Sequence, residues 1–192
     1  MVSTRRDARA HRDELAPVIP ERVSWRAIWL ALASVPDPEI PVLSVLDLGV
    51  LRSVEWDASG REVLVVRVTP TYTGCPATDL IIEALQQALR NVGVDGARVE
   101  RVLSPPWSTS WMTPAAQRKL MDYGIAPPGS ARPARSAISV EMPRPRRDVT
   151  SVPCPRCGSL STEVLAPFGS TPCKAQYRCR SCLEPFDFFK AL

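Results

Sequence analysis

Apolar positions along the chain change period several times, and each change marks an element. From Ser24 onward, Trp25, Ile28, Trp29 and Leu32 recur at i, i+3, i+4 and i+7, which predicts a helix burying that face. Pro36 and Pro38 end it, because proline has no N–H to continue the ladder. After the loop DPEIPVLSVLDLG, two β-branched runs predict strands over Val50–Trp56 and Glu62–Thr69. The turn Asp57-Ala58-Ser59-Gly60 between them reads as a hairpin connection. A polar loop then reaches Cys75 and Pro76, followed by a helix with Ile81, Ala84, Leu85 and Ala88 on one face, stopping near Asn91 and Gly93. A third strand is predicted over Arg98–Leu103, and a short helix over Thr113–Tyr123, with Thr113 as its cap and Pro114 at its first position.

The expected fold class is α/β, an αββαβ domain over residues 24–124 whose β–helix–β part is a right-handed crossover between parallel strands. Residues 1–23 are polar, Arg-rich and aperiodic, and read as a flexible arm. Residues 125–152, rich in Pro and Arg, read as an extended linker. The last segment, 153–192, is a separate module too small to be held by apolar burial alone, so it needs a staple.

Composition adds limits. Of 192 residues 20 are proline, which agrees with an unpaired segment. The formal charge of +4 is concentrated in the linker and the tail, while residues 15–125 are slightly acidic, so a nucleic-acid-binding face is not expected. The longest apolar stretch, residues 27–35, is far short of the ~20 residues that cross a bilayer. The first 14 residues lack the apolar core of a secretory signal, and a cytoplasmic protein without membrane contact is expected.

In such a reducing compartment, the six cysteines read as metal ligands or reactive thiols rather than disulfides. Cys154-Pro-Arg-Cys157 and Cys179-Arg-Ser-Cys182 are two C-x-x-C knuckles separated by 21 residues. Four thiolates complete a tetrahedral Zn²⁺ site and would staple the tail as a zinc ribbon; iron suits the same sulfur cage. Cys173 is left over, either a small packed side chain or a free functional thiol. Cys75 precedes the second helix; placed at its N-cap, the thiol would gain thiolate character from the helix dipole. A packed structural cysteine fits the same position. The single histidine, His11, lies in the arm and cannot serve as its base, so no thiol-hydrolase dyad can be assembled. Asp37, Glu39 and Asp47 crowd the loop before the first strand. They either satisfy loop N–H groups or place a carboxylate beside Cys75. Trp107 and Trp111 read as a packing lid or a binding platform.

DPEIPVLSVLDLGVL and TPTYTGCPATDLI resemble the metal–sulfur cluster assembly family that includes SufT-like factors. That resemblance implies an α/β domain with a reactive cysteine at Cys75. SPPWSTSWMT, KLMDYGIAPP, CPRCGS and STPCKAQYRCRSCLEPFDFFK are similar to the D (also called J) subunit family of phenylacetyl-CoA epoxidases, over residues 24–192. The resemblance implies an accessory protein of aerobic phenylacetate catabolism, with the oxygenase and reductase subunits of the epoxidase as partners. It further implies iron–sulfur or di-iron centre maturation through Cys75, with iron or a cluster held there transiently. A homodimer sharing a cluster between two Cys75 thiolates is compatible with it, as is a non-catalytic structural subunit; a nucleic-acid-binding zinc ribbon is a further alternative, against which the slightly acidic N-terminal domain argues. The chain cannot itself house the oxygenation: one histidine forbids a Glu-x-x-His di-iron pair, and no GxGxxG is present.

Overall fold

The computed structural model describes residues 23–57, 63–129 and 152–190. The N-terminal arm up to residue 22, most of the expected hairpin turn and residues 130–151 of the expected linker lie outside the described residues. Helix α1 spans Trp25–Ala33 and is opened by Ser24, whose hydroxyl accepts from the Ala27 N–H at 3.2 Å. Its buried stripe is Ile28, Ala31 and Leu32, whereas Trp25 and Trp29 are nearly half exposed, which corrects the sequence reading. At roughly 100° per residue the two indoles fall on the flank of that stripe, and Trp25 packs edge-on against Trp56, ring centres 6.4 Å apart.

Strand β1 (Leu51–Trp56) pairs antiparallel with β2 (Leu64–Val68), as the hairpin pattern requires. Helix α2 (Ala77–Asn91) carries the chain to β3 (Arg98–Arg101), which lies parallel to β2 and makes β2 the central strand. The central position explains why β2 is a nearly continuous apolar run rather than an alternating one. Helix α3 (Pro114–Tyr123) is capped by Thr113, whose Oγ1 accepts from the Ala116 N–H at 3.0 Å, and Gly124 closes it at φ 90°.

The next two residues correct the expected linker. Ile125 and Ala126, both buried, form β4 and pair parallel with β7 (Pro185–Phe189). With β5 (Thr162–Ala166) and β6 (Lys174–Cys179) they complete a four-stranded sheet in the order β4-β7-β6-β5. Both residues are apolar, and pairing hides them where an extended linker would leave them in water.

Nor does the C-terminal module stand apart. Phe189 and Cys173 belong to the same apolar core as α1, α2 and β2. Trp107 makes the junction. It is buried, donates its indole N–H to the Leu48 carbonyl at 2.9 Å, and meets the Phe189 ring edge-on with centres 6.1 Å apart. Gly49 lets the same loop approach. At φ 66°, a Cβ there would stand 2.3 Å from the Trp111 carbonyl oxygen.

Trp107→Ala therefore removes a core indole and strands the Leu48 carbonyl. A loss of about 3–5 kcal/mol is expected in urea denaturation.

Candidate functional site

Two sulfur sites emerge, and the first is the quartet. Cys154 and Cys157 flank a turn before β5, Cys179 ends β6, and Cys182 lies on the turn leading to β7. Gly158, at φ 73°, allows the backbone to reverse below the first knuckle and donates its N–H to the Cys154 carbonyl. The four Sγ atoms lie within 4.8 Å of one another. Two of the separations are 3.8 Å (Cys154–Cys182) and 3.5 Å (Cys157–Cys179). A tetrahedral ion with metal–sulfur bonds of about 2.3 Å has sulfur–sulfur edges of about 3.8 Å, so the donor set fits a metal ion.

Electrostatics points the same way. The N–H groups of Cys182 and Ser181 aim at Cys179 Sγ (3.5 and 3.4 Å) and hold that thiol down to about 6. Cys157 moves the other way: the Ser159 N–H favours its thiolate, but neighbouring thiols and desolvation outweigh it and push the group up to about 12. Cys179 ionises readily, whereas Cys157 and Cys182 resist until a cation offsets the repulsion.

The second site surrounds Cys75. Helix α2 begins at Ala77 with Pro76 at the cap, so Cys75, expected at the N-cap, stands one residue before it. Pro76 already has helical dihedrals (φ −67°, ψ −26°), and the Cys75 carbonyl accepts from the Thr78 N–H at 3.2 Å. The thiol thus remains at the amino end of α2. Cys75 is half-buried rather than sealed, and borders a small cavity of about 20 Å³ together with Asp37, Thr69 and Thr78. Two polar atoms here, Thr69 Oγ1 and Tyr72 Oη, are buried without a hydrogen-bond partner. The Tyr72 phenol is pushed up to about 12, first by desolvation and then by the adjacent Cys75 sulfur.

The carboxylates divide between the two readings offered for them. Asp47 is structural: it accepts from the Ser44 N–H (2.9 Å) and from Lys119 Nζ (2.6 Å). Burial alone would raise its carboxyl, but Lys119 and Ser44 prevail and hold it below the usual range. Asp37 does both jobs. Its Oδ1 accepts from the N–H groups of Glu39 (2.9 Å) and Ile40 (2.8 Å), while its side chain borders the Cys75 cavity. Desolvation raises its carboxyl despite those bonds. Glu39 is raised as well, by burial and by the charge of Asp37.

The structure brings Cys173 to this place from 134 residues away in sequence. Its Sγ lies 3.9 Å from Glu39 Oε2 and 3.0 Å from Thr171 Oγ1, and the residue is buried. Burial raises its thiol, and the negative charges of Glu39 and Cys75 add to that. Lys174, also buried, pairs with Asp187 at 3.2 Å and opposes the charge of Asp37 and Glu39. Sequence reasoning did not anticipate Thr69 or Tyr72 as neighbours of Cys75, nor Lys174 as a neighbour of Asp37 and Glu39, and no spacing signal connects them. Trp107 and Trp111 serve packing: Trp107 sits in the core, and Arg52 stacks 3.4 Å from the Trp111 ring centre.

With this geometry in view, comparison with known proteins adds the following. Residues 26–104 match the family described as "Iron-sulfur cluster assembly protein", and residues 140–190 match the "PaaD zinc beta ribbon domain". The chain is 44% identical to the Escherichia coli (strain K12) protein named as the D component of the "Putative 1,2-phenylacetyl-CoA epoxidase", over 93% of this chain and 98% of that one. It is 38% identical to an "Fe-S protein maturation auxiliary factor" of Porphyromonas gingivalis, over 46% of this chain and 83% of that one. Among solved structures, a domain of unknown function from Bacillus anthracis matches with 30% identity and a TM-score of 0.44, over 50% of this chain and 89% of that one.

The raised carboxyl of Asp37 has a pH consequence. Its folded-state pKa exceeds the unfolded value, so ionisation costs stability above that pKa, and the cost fades as pH falls toward 3.8. Asp37→Asn keeps an oxygen acceptor for the Glu39 and Ile40 N–H groups. The variant should be more stable than the parent at pH 7, with the gain shrinking toward pH 4. Urea denaturation at the two pH values measures it.

Proposed function

Because this chain belongs to the family of phenylacetyl-CoA epoxidase D components, we propose that it is an accessory protein that matures the metal centres of that enzyme, with Cys75 as the carrier thiol. The observation that supports this reading best is the half-buried Cys75 sulfur at the amino end of α2. It borders a cavity in the domain that matches iron–sulfur cluster assembly proteins. A thiolate is the form of a cysteine that binds iron or an iron–sulfur unit. Iron is cargo in this scheme and leaves with the client. The oxygenase and reductase subunits are the clients, in the cytoplasm.

The quartet has a separate task. Cys154, Cys157, Cys179 and Cys182 hold one Zn²⁺, which supplies no chemistry and fixes the β5–β6–β7 sheet. Because β7 carries Phe189 into the shared core, the ion also steadies the ribbon against the N-terminal domain.

A purely structural subunit is the competing reading. The exposed apolar side chains Trp29, Leu30 and Trp56 near α1, and Leu160, Phe168 and Leu183 on the ribbon, favour stable docking on another protein.

Reconstitution of the epoxidase separates the two. Cys75→Ser should bind the oxygenase normally yet lower both its iron content and ring epoxidation at least tenfold. Full iron loading and activity with this variant would leave only the structural role. Metal analysis should find one zinc per chain in both parent and Cys75→Ser protein. Stripping that zinc with a strong chelator should unfold the ribbon, since such sites contribute about 10–16 kcal/mol, and circular dichroism would register the loss of strand signal.

A further inference from the structure

The cavity that Cys75 borders is lined by the N-terminal domain, and the ribbon brings a second thiol, Cys173, close to it. The loop before β1 supplies Asp37 and Glu39, bonded to each other through the Glu39 N–H and Asp37 Oδ1 at 2.9 Å. Asp37 borders the Cys75 cavity, and Glu39 touches the sulfur of Cys173. The Cys173 sulfur thus sits beside the Glu39 carboxylate and within electrostatic reach of Cys75, the thiol at the cavity. Buried polar atoms without partners are rare because each forfeits a hydrogen bond. Here Thr69, only 1% exposed and bordering the same cavity, leaves Oγ1 unpartnered. Such atoms mark a place built to receive a polar or ionic guest.

We propose that Cys173 is the second sulfur ligand of the site at Cys75, so that a thiophilic metal cargo is held across the junction of the two domains, with Glu39 as an oxygen ligand. The proposal rests on the carrier reading of Cys75 and adds to it the partner thiol. Among the described residues only the quartet gathers three or more metal-binding atoms within 4.8 Å of one another. The Cys75–Cys173 site therefore closes around its cargo by movement of side chains rather than standing ready-made. That suits a site that must release what it binds. On binding, each thiol loses one proton to solvent and its sulfur forms a bond to the metal, with no change in oxidation state. Lys174, buried beside Asp37 and Glu39, offsets the negative charge before loading.

The test uses the full chain with zinc already in the quartet and cobalt(II) as probe, read by thiolate-to-cobalt charge-transfer absorption in the near ultraviolet. The parent should take up a second ion with a two-thiolate band. Cys173→Ser should halve the band and weaken binding at least tenfold, with zinc content and thermal midpoint unchanged. Cys75→Ser should do the same, and the double variant should show no band. If Cys75→Ser diminishes the band while Cys173→Ser leaves strength and affinity intact, the second-ligand assignment is wrong and the carrier reading of Cys75 stands. If the parent binds no second ion, both fail. Should Cys173→Ser not fold, alkylation of the parent followed by mass spectrometry decides. Cobalt must protect Cys75 and Cys173 together, and protection of Cys75 alone overturns the proposal.

Discussion

The edge-on contact between Trp107 and Phe189 is the constraint on which the rest of the molecule depends. Trp107 is fixed at its other end by the indole N–H bond to the Leu48 carbonyl, so its ring can occupy only one place. Phe189 ends β7, and β7 is the strand that pairs with both β6 and the short β4. Seating Phe189 therefore fixes the orientation of the whole ribbon sheet. The loop leading into β6 follows, and Cys173 and Lys174 arrive at Glu39 and Asp37. The β4–β7 pairing and the Cys173–Glu39 contact join the two halves at other points of the same junction.

This coupling gives the cysteine quartet a reach beyond its own strands. The ion site lies at the knuckle end of β6, whereas Cys173 immediately precedes the other end of the same strand. A strand of six residues is a stiff connector, held on one side by β5 and on the other by β7. Loss of the ion would relax the register of β6 and with it the position of Cys173. A structural metal site and the surroundings of Cys75 can in this way be linked although no residue belongs to both.

The surroundings of Cys75 also carry a cost that a purely structural pocket would avoid. Asp37 and Glu39 are both held in a poorly solvated place, and their carboxyls rise accordingly. Two polar atoms nearby lack partners. Asp47, in the same loop, shows the contrast: its carboxylate meets a lysine, a serine hydroxyl and an N–H group, and it is held low. Local frustration gathers around the thiol and not around the ordinary loop carboxylate, as functional sites commonly show.

The sequence by itself determined the order of elements, the two domain types and the grouping of four sulfurs. These depend on short-range rules: helical period, proline and glycine punctuation, cap residues such as Ser24 and Thr113, and the spacing of C-x-x-C pairs. Cys75 was legible for the same reason, since a cysteine followed by proline at a helix start is a local feature; even its cap assignment missed by only one residue. Where Trp25 and Trp29 would face was not legible, because a flank position on a helix is decided by what packs there. The fate of Ile125 and Ala126, the docking of the ribbon and the neighbourhood of Cys173 were decided only by tertiary structure. Each depends on a contact between residues about 60 to 130 positions apart. No local pattern encodes such a meeting; it follows from burial of Phe189 and Trp107 in one shared core.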